Sequence, residues 1–277
     1  MTDDVYELYA IRYATNPRRR RVENLMWVAP DDPHDAPMPM DFFVWAAVSS
    51  SRVVVIDTGA DEHTCTARGH QFLRCPTDGL GEICIDASDV QQVVTTHLHW
   101  DHAGNLAAFP EAQLHVQRTE LAHASGPCMA RAFLRRPYDP EQVAAYVRRV
   151  YAGRVTFHDS GAEEIAPGLS IHAVGGHTPG MQVVRVNTRR GHVVLASDAF
   201  HYYENLDAEN PFPVLVSTID YVETLHRLGD LADGRDHLVP GHDPQVLASY
   251  PPARPELAGV VARLDVDPTT PTAAVPA

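Results

Sequence analysis

The feature that most constrains this chain is a cluster of metal-ligating residue types directly after an apolar segment. Residues His97–His102 read HLHWDH, so three histidines and one aspartate lie within six positions. They follow Val90–Thr96 (VQQVVTT), whose β-branched residues predict a buried strand, and they precede Gly104–Phe109, which we predict to begin a short helix. The four side chains are therefore expected on a strand-to-helix turn.

Such a turn has the right chemistry for metal binding. Neutral imidazole nitrogens and carboxylate oxygens are preferred ligands of zinc and its divalent neighbours, and the turn allows His97 and His99 to face one ion while Asp101 and His102 face another. The alternative is a surface turn in which the histidines are solvated and Asp101 caps the following helix. Four potential ligands on one turn favour the metal site, because metal sites require this clustering.

Further ligand types occur later in the chain, each at the end of a predicted strand. His177 lies in a glycine-rich turn (GGHTPG), Asp198 follows an apolar strand (HVVLAS), and His242 lies in the turn VPGHDP. Upstream, Val53–Gly59 reads VVVIDTG, which predicts a strand followed by an Asp-Thr-Gly turn.

Together these segments resemble the metallo-β-lactamase superfamily over about residues 40–250. The resemblance implies an α/β fold, a four-layer αββα sandwich with the metals at one edge of two packed sheets. It assigns metal binding to His97, His99 and His177 for one ion, to Asp101, His102 and His242 for the second, and to Asp198 as the bridge. Because Asp198 stands where β-lactamase-type sites often use a cysteine, the resemblance favours the hydrolase branches.

The proposed ion pair implies hydrolysis. Two divalent cations close together lower the pKa of a bridging water, so hydroxide is available at neutral pH, and one cation can polarise the carbonyl under attack. We therefore expect two divalent ions, zinc first, with iron, cobalt or manganese as alternatives. Asp101 is predicted to be a catalytic residue as well as a ligand.

The segment after Asp198, which reads DAFHYYENL, resembles N-acyl homoserine lactonases. In those enzymes the bridging aspartate is followed three residues later by a tyrosine and then by Glu-Asn. Here His201 occupies the third position and Tyr202 follows it, so either residue is a candidate to protonate the leaving alkoxide. The alternative is that both only pack the loop. The branch implies opening of a lactone ring, an N-acyl homoserine lactone or a related lactone, and thus quorum quenching.

An upstream loop resembles the segment that covers the metal cleft in lactonases. Met26 and Trp27 lie in NLMWVAP, and flexible thioether and broad indole surfaces suit an apolar substrate tail. Phe212, in Pro-Phe-Pro, is a further candidate for the pocket wall. Alternatively, these residues cover a strand edge and bury their side chains in the core.

Other histidines receive no functional role from the sequence. Four alternate with apolar residues on predicted strands or lie on a predicted helix, and four have no partner that the sequence reveals. These are His115, His172, His192 and His226 in the first group, and His63, His70, His158 and His237 in the second.

Two other functions stay open: an ester or thioester hydrolase of the same fold, and an iron-dependent persulfide dioxygenase-like enzyme with one metal site. Several classes are excluded. The chain contains no lysine, which removes Schiff-base chemistry, a pyridoxal-phosphate anchor and a P-loop. A net charge of −14 argues against a nucleic-acid partner.

The chain reads as one hydrolase domain, residues 1–264, followed by a Pro-, Thr- and Ala-rich tail, 265–277, that we predict to be disordered. The acidic start lacks an apolar leader, no segment reaches 18 apolar residues, and the four cysteines form no C-x-x-C pair. We therefore expect a cytoplasmic protein with a small-molecule substrate and no membrane partner, and leave a homo-oligomer open.

Overall fold

Two β-sheets form the centre of the fold in the computed structural model, which describes residues 4–159 and 161–270. The strands of the first sheet are β1 (Glu7–Asn16), β2 (Met40–Val48), β3 (Val53–Ile56), β4 (Gln71–Phe72), β5 (Gln92–Val94), β6 (Gln113–Gln117), β7 (Val155–His158) and β13 (Val261–Arg263). The strands of the second sheet are β8 (Ala162–Ala166), β9 (Leu169–Ala173), β10 (Gln182–Thr188), β11 (Gly191–Ser197) and β12 (Leu238–Pro240).

The first sheet has the order β13-β1-β2-β3-β5-β6-β7, with β4 paired to β1, and the second has the order β12-β11-β10-β9-β8. The helices are α1 (Glu62–Ala67), α2 (Pro76–Gly81), α3 (Arg118–Ala124), α4 (Ala132–Arg135), α5 (Pro140–Tyr151), α6 (Tyr203–Asp207), α7 (Thr218–Leu231) and α8 (Gln245–Ser249). Helices α2 and α3 contact the first sheet and α7 contacts the second, which confirms the predicted αββα sandwich.

Strand β2 shows how the sequence builds these layers. Its side chains alternate between two apolar clusters: Phe43 and Trp45 pack between the sheets, while Phe42 and Val44 pack under the helices of the first sheet. Both faces of the strand are buried, so it is apolar at almost every position, as expected for a central strand of a layered fold.

Parallel strands place the site at one edge. Strands β3, β5, β6 and β7 are parallel, as are β11 and β12. Their carboxyl ends lead to Asp57 after β3, to the His97–His102 turn after β5, to Asp198 after β11 and to His242 after β12. Ligand sites in open α/β sheets commonly lie outside the carboxyl ends of the strands.

The helix predicted to begin at Gly104–Phe109 is wrong. The segment forms only a short 3-10 turn, Leu106–Ala108, and Asn105 before it adopts a left-handed conformation (φ +55°). Gly104 lies so close to the backbone of Gly59 that a β-carbon would approach that carbonyl oxygen to 2.6 Å. This packing fixes the backbone at Gly104, and the left-handed residue after it separates the turn from the short 3-10 segment.

The start of the predicted tail makes contacts with the domain. The buried carboxylate of Asp265 accepts hydrogen bonds from the Leu8 amide and from Arg263, and the Thr269 hydroxyl donates to the Ser249 carbonyl. The remainder of that prediction, residues 271–277, lies outside the described residues. Within residues 4–159 and 161–270, no helix is long and apolar enough to cross a membrane.

Candidate metal centre

The structure brings all seven predicted ligands together at the sheet edge, and all are buried. Their nitrogen and oxygen atoms fall into overlapping groups in which every atom lies within 4.8 Å of the others. The groups are His97–His99–His177, His97–His102–Asp198, Asp101–His102–His242 and His177–Asp198–His201. Asp198 belongs to two groups, which is the position that a shared carboxylate requires.

Hydrogen bonds on the outer side of the rings orient several imidazoles. Nδ1 of His177 donates to the Val214 carbonyl at 2.7 Å, and Nδ1 of His242 donates to the Asp41 carbonyl at 2.8 Å. Because a carbonyl only accepts, the proton of each ring lies on Nδ1 and the Nε2 lone pair is free. Outer partners of this kind typically hold metal-ligating histidines.

The inner atoms satisfy one another only in part. Nε2 of His177 lies 3.1 Å from Nε2 of His97, within hydrogen-bonding distance, and Nε2 of His242 lies 3.1 Å from Oδ1 of Asp198. Nε2 of His102 and Oδ1 of Asp198 are buried and have no hydrogen-bond partner in the described part of the chain. Buried polar atoms are normally satisfied, so this cluster of nitrogen and carboxylate donors fits divalent cations.

Asp57 orients the ligand-bearing turn through hydrogen bonds to Thr96 and His102. Its Oδ1 accepts from the Thr96 amide at 2.7 Å, and its Oδ2 accepts from the Thr96 hydroxyl at 2.7 Å and from Nδ1 of His102 at 2.8 Å. Asp57 has φ +59°, a left-handed conformation that is uncommon outside glycine. The buried carboxylate of Asp57 thus links the Asp-Thr-Gly turn to the metal-ligating turn, and the residue that carries it has an unusual backbone conformation.

Glu120 is a second supporting carboxylate, and the sequence reading missed it. It is fully buried near the start of α3 and accepts from the Leu98 amide at 2.9 Å, the Thr178 hydroxyl at 2.6 Å and the Gly180 amide at 3.2 Å. It therefore ties the turn that carries His97 and His99 to the turn that carries His177. A glutamate in a first helical turn usually reads as a solvated helix residue, so no sequence signal marked it.

Burial and neighbouring charge divide the histidines into two electrostatic classes. Burial, together with neighbouring imidazoles, holds the pKa of His97 and of His99 well below the usual range. Burial also opposes the charged form of His102 and His242, but the carboxylates of Asp101 and Asp198 outweigh it and raise the pKa of both rings. The two sides of the centre therefore differ in how strongly they favour a charged imidazole, and metal binding requires the neutral form.

The two residues predicted as proton donors have different environments. His201 is buried at the cleft, its Nε2 lies 2.9 Å from Oδ2 of Asp198, and its ring stacks on Phe212 with centroids 3.4 Å apart. Burial lowers the pKa of His201 to about 3. The Tyr202 hydroxyl instead donates to the Pro39 carbonyl at 3.2 Å, in the packing beneath the loop.

The three residues predicted to form the substrate pocket, Met26, Trp27 and Phe212, lie in different places. Phe212 is fully buried beneath His201 and contacts His177, so it supports the wall from behind. Met26 and Trp27 are 44% and 70% exposed, and the Trp27 amide donates to Asn210 at 3.1 Å. Neither is among the described residues that line the cleft, so the structure does not bring them to the metal ligands.

The cleft over the centre encloses about 90 Å³. Five of the seven predicted ligands line the cleft. The other lining residues are Arg19, Met40, Phe42, His70, Trp100, Pro137, His201 and Val214. His70 is the second functional candidate that the sequence reading missed. It approaches the cleft only because β4 pairs with β1, a contact between segments far apart in the chain.

Comparison with known proteins agrees with this geometry. The metallo-beta-lactamase superfamily profile matches residues 42–246, and the chain belongs to that superfamily. Among similar proteins is the N-acyl homoserine lactonase AttM of Agrobacterium fabrum, 27% identical over 235 residues that span 78% of this chain and 86% of the relative.

Solved structures show the same fold. A quorum-quenching N-acyl homoserine lactone lactonase superposes with a TM-score of 0.70 at 22% identity, covering 88% of this chain and 93% of that one. The dizinc quorum-quenching lactonase AidC superposes with a TM-score of 0.64 at 15% identity, covering 88% and 90%. The relatives and the superfamily support a hydrolase, which confirms the enzyme class predicted from the sequence.

Proposed function

We propose that this chain is a dinuclear, zinc-dependent hydrolase that opens the ring of N-acyl homoserine lactones or of related lactones, and thereby quenches quorum signals. The observation that carries the proposal is that buried imidazoles of both ligand groups approach one carboxylate: Nε2 of His177 lies 3.2 Å from Oδ2 of Asp198, and Nε2 of His242 lies 3.1 Å from Oδ1. The relatives support the substrate class, since the lactonase AttM acts, by its name, on N-acyl homoserine lactones.

The residues would divide as the sequence predicts. His97, His99 and His177 would hold one ion, Asp101, His102 and His242 the other, and Asp198 both. When bound, two divalent cations supply a water acidic enough to attack at neutral pH and a Lewis acid for the substrate carbonyl.

The chain's own residues perform the remaining steps. The outer hydrogen bonds of His177 and His242 fix their rings, so ligand positions are set before substrate arrives. Asp101 lines the cleft and would orient the attacking water as well as bind an ion. His201 would take up the proton that the attacking water releases and pass it from Nε2 to the leaving alkoxide, since this nitrogen lies in hydrogen-bonding distance of Asp198 and the Tyr202 hydroxyl is engaged elsewhere.

The proposal is tested by metal content and turnover together. Protein purified without chelator should contain about two divalent ions per chain and should hydrolyse N-hexanoyl homoserine lactone anaerobically. Asp198→Asn should lose metal and turnover together, because a neutral amide is a poor bridge between cations. Asp230→Asn, on the exposed face of α7, is the matched control. One iron per chain with oxygen consumption would instead support a persulfide dioxygenase-like enzyme, and turnover confined to esters or thioesters the other hydrolase.

The proton donor is tested separately. His201→Ala should lower kcat by about 10²- to 10⁴-fold with both metals retained, the usual contribution of general acid catalysis. Tyr202→Phe should keep near-normal kcat. If the two variants behave in the opposite way, Tyr202 is the donor and its loop rearranges when substrate binds.

A further inference from the structure

One polar side chain in the cleft wall makes no hydrogen bond to any residue of the described structure. Three polar lining residues lie outside the seven predicted ligands: Arg19, His70 and His201. Arg19 donates to the side chain of Asn24 and to the Glu23 carbonyl, and His201 bonds Asp198. The Nδ1 atoms of His70 and His201 are both buried without a hydrogen-bond partner, but His70 differs because no described residue bonds its other ring nitrogen either.

The backbone around His70 is fixed. Gly69 before it has φ +80°, a left-handed conformation that suits glycine, and the His70 amide donates to the Cys65 carbonyl at 2.9 Å. Three residues further, the Leu73 amide donates to the Tyr13 carbonyl at 2.9 Å. The turn between α1 and β4 thus holds His70 in one place.

Aromatic rings fix the orientation of the side chain as well. The His70 ring stacks on Trp100, with centroids 5.1 Å apart and planes 10° apart, and the edge of the ring packs against Phe42 at 4.8 Å. Trp100 belongs to the metal-ligating turn and Phe42 contacts His242. The imidazole is therefore anchored to the ligand-bearing elements of both sides of the cleft.

This environment keeps the ring neutral. Burial lowers the pKa of His70 to about 4. A neutral imidazole offers one N–H donor and one lone-pair acceptor. The wall beside His70 is formed by Met40, Phe42 and Trp100, and a charged substrate group would lose its hydration against these apolar side chains. Arg19 also lines the cleft, but its guanidinium already donates to Asn24 and to the Glu23 carbonyl. A secondary amide carries one donor and one acceptor without charge, which matches His70.

We propose that His70 is a specificity-determining residue that hydrogen-bonds the amide next to the lactone ring of an N-acyl homoserine lactone. The inference rests on the proposed lactonase function. It adds what that function leaves open, namely how the cleft distinguishes an N-acylated lactone from one with a plain alkyl tail. The described structure gives the His70 ring no hydrogen bond, and a substrate that carries the amide would supply one.

The test compares two lactones of the same ring size, N-hexanoyl homoserine lactone and γ-decalactone, which has an apolar tail and no amide. His70→Phe retains an aromatic ring against Trp100 and removes both nitrogens. We expect this variant to lower the ratio of kcat/KM for the amide lactone to that for γ-decalactone by about three- to tenfold, the typical effect of one neutral hydrogen bond. The change should lie in KM.

Two further variants identify the nitrogen involved. The side-chain amide of His70→Asn lies near the place of Nδ1, and that of His70→Gln near the place of Nε2, so one of the two should restore most of the lost discrimination. His63→Phe, on the exposed side of α1, is the control and should leave the ratio unchanged. Titration of the ring-opened product N-hexanoyl-homoserine should show the same order of affinities without turnover.

The outcomes separate the two proposals. If the wild-type protein opens neither lactone, the proposed function fails and this inference fails with it. If the wild-type protein opens both lactones and His70→Phe lowers both rates equally, the function stands and His70 has only a packing role. An unchanged ratio in His70→Phe with metal content intact would also overturn the inference.

Discussion

Asp57→Asn changes one atom at the most constrained hydrogen-bond junction of the centre. In the native protein its two oxygens accept from the Thr96 amide, the Thr96 hydroxyl and Nδ1 of His102. Asparagine has one oxygen and one amide nitrogen, so it cannot accept all three. Two arrangements are available to the variant, and both have a cost.

In the first arrangement, the new oxygen remains on the Thr96 amide and the new nitrogen faces His102. Nδ1 of His102 must then accept, so its proton moves to Nε2 and the lone pair that faces the centre is lost. Loss of such an outer partner typically weakens metal binding about 10- to 100-fold, or about 1.4 to 2.7 kcal/mol. In the second, the new nitrogen faces the Thr96 amide, and leaving that buried donor unpaired costs about 1 to 3 kcal/mol.

Since the costs are similar, neither arrangement lets the variant escape a penalty, and metal affinity must fall or the fold must lose stability. Competition with a chromophoric chelator measures the affinity, and urea unfolding of the metal-free protein measures the stability. Asp61→Asn is the matched control, because Asp61 caps α1 by accepting from the Thr64 amide, and asparagine caps as well as aspartate. If Asp57→Asn matches wild type in both measurements, Asp57 does not set the His102 tautomer.

Three further predictions concern residues outside the seven predicted ligands. Glu120→Gln leaves one oxygen for four donors, the Leu98 and Gly180 amides and the Thr178 and Tyr138 hydroxyls, so the free energy of unfolding in urea should fall by about 1 to 3 kcal/mol. Burial, and then the neighbouring His158, lower the pKa of His115 to about 4, below the value near 6.5 in the unfolded chain. The free energy of unfolding should therefore fall as pH falls from about 6.5 towards 4. In urea unfolding at a series of pH values, His115→Gln should reduce the slope of this free energy against pH by up to about 1.4 kcal/mol per pH unit, and an unchanged slope would contradict this. Trp27→Ala should leave the KM for N-butyryl homoserine lactone unchanged, because the indole is exposed and lies outside the cleft.

The positions of the predicted ligands could be inferred from the sequence for a local reason. Four of them lie within His97–His102, and the others each follow an apolar strand, so the ends of neighbouring strands bring them together without any long loop. Periodicity revealed the strands because β-branched residues and buried faces are local features. The predicted helix at Gly104–Phe109 failed because a tertiary contact, the approach of Gly104 to Gly59, overrides local preference.

The supporting residues could not be inferred because their partners are distant in sequence. Glu120 bonds Leu98 and Thr178, which lie 22 and 58 positions away, and His70 reaches the cleft through strand pairing. Glutamate on a helix and histidine in a turn are ordinary surface residues until such contacts are known. A sequence pattern can therefore report ligand chemistry, while the hydrogen bonds that orient the ligands require the fold.

The same distinction explains why the cleft wall is more informative about substrate than the metal ligands are. Every histidine that carries an outer hydrogen bond, such as His177 or His242, has its free nitrogen committed to the centre, and this arrangement would suit any substrate with a carbonyl. His70 has no such commitment, and it lies in an otherwise apolar part of the wall. A buried polar atom without a partner is costly to the free protein. Its retention is explained if a substrate group supplies the partner, so discrimination between lactones should depend on His70 and its aromatic neighbours rather than on the metals.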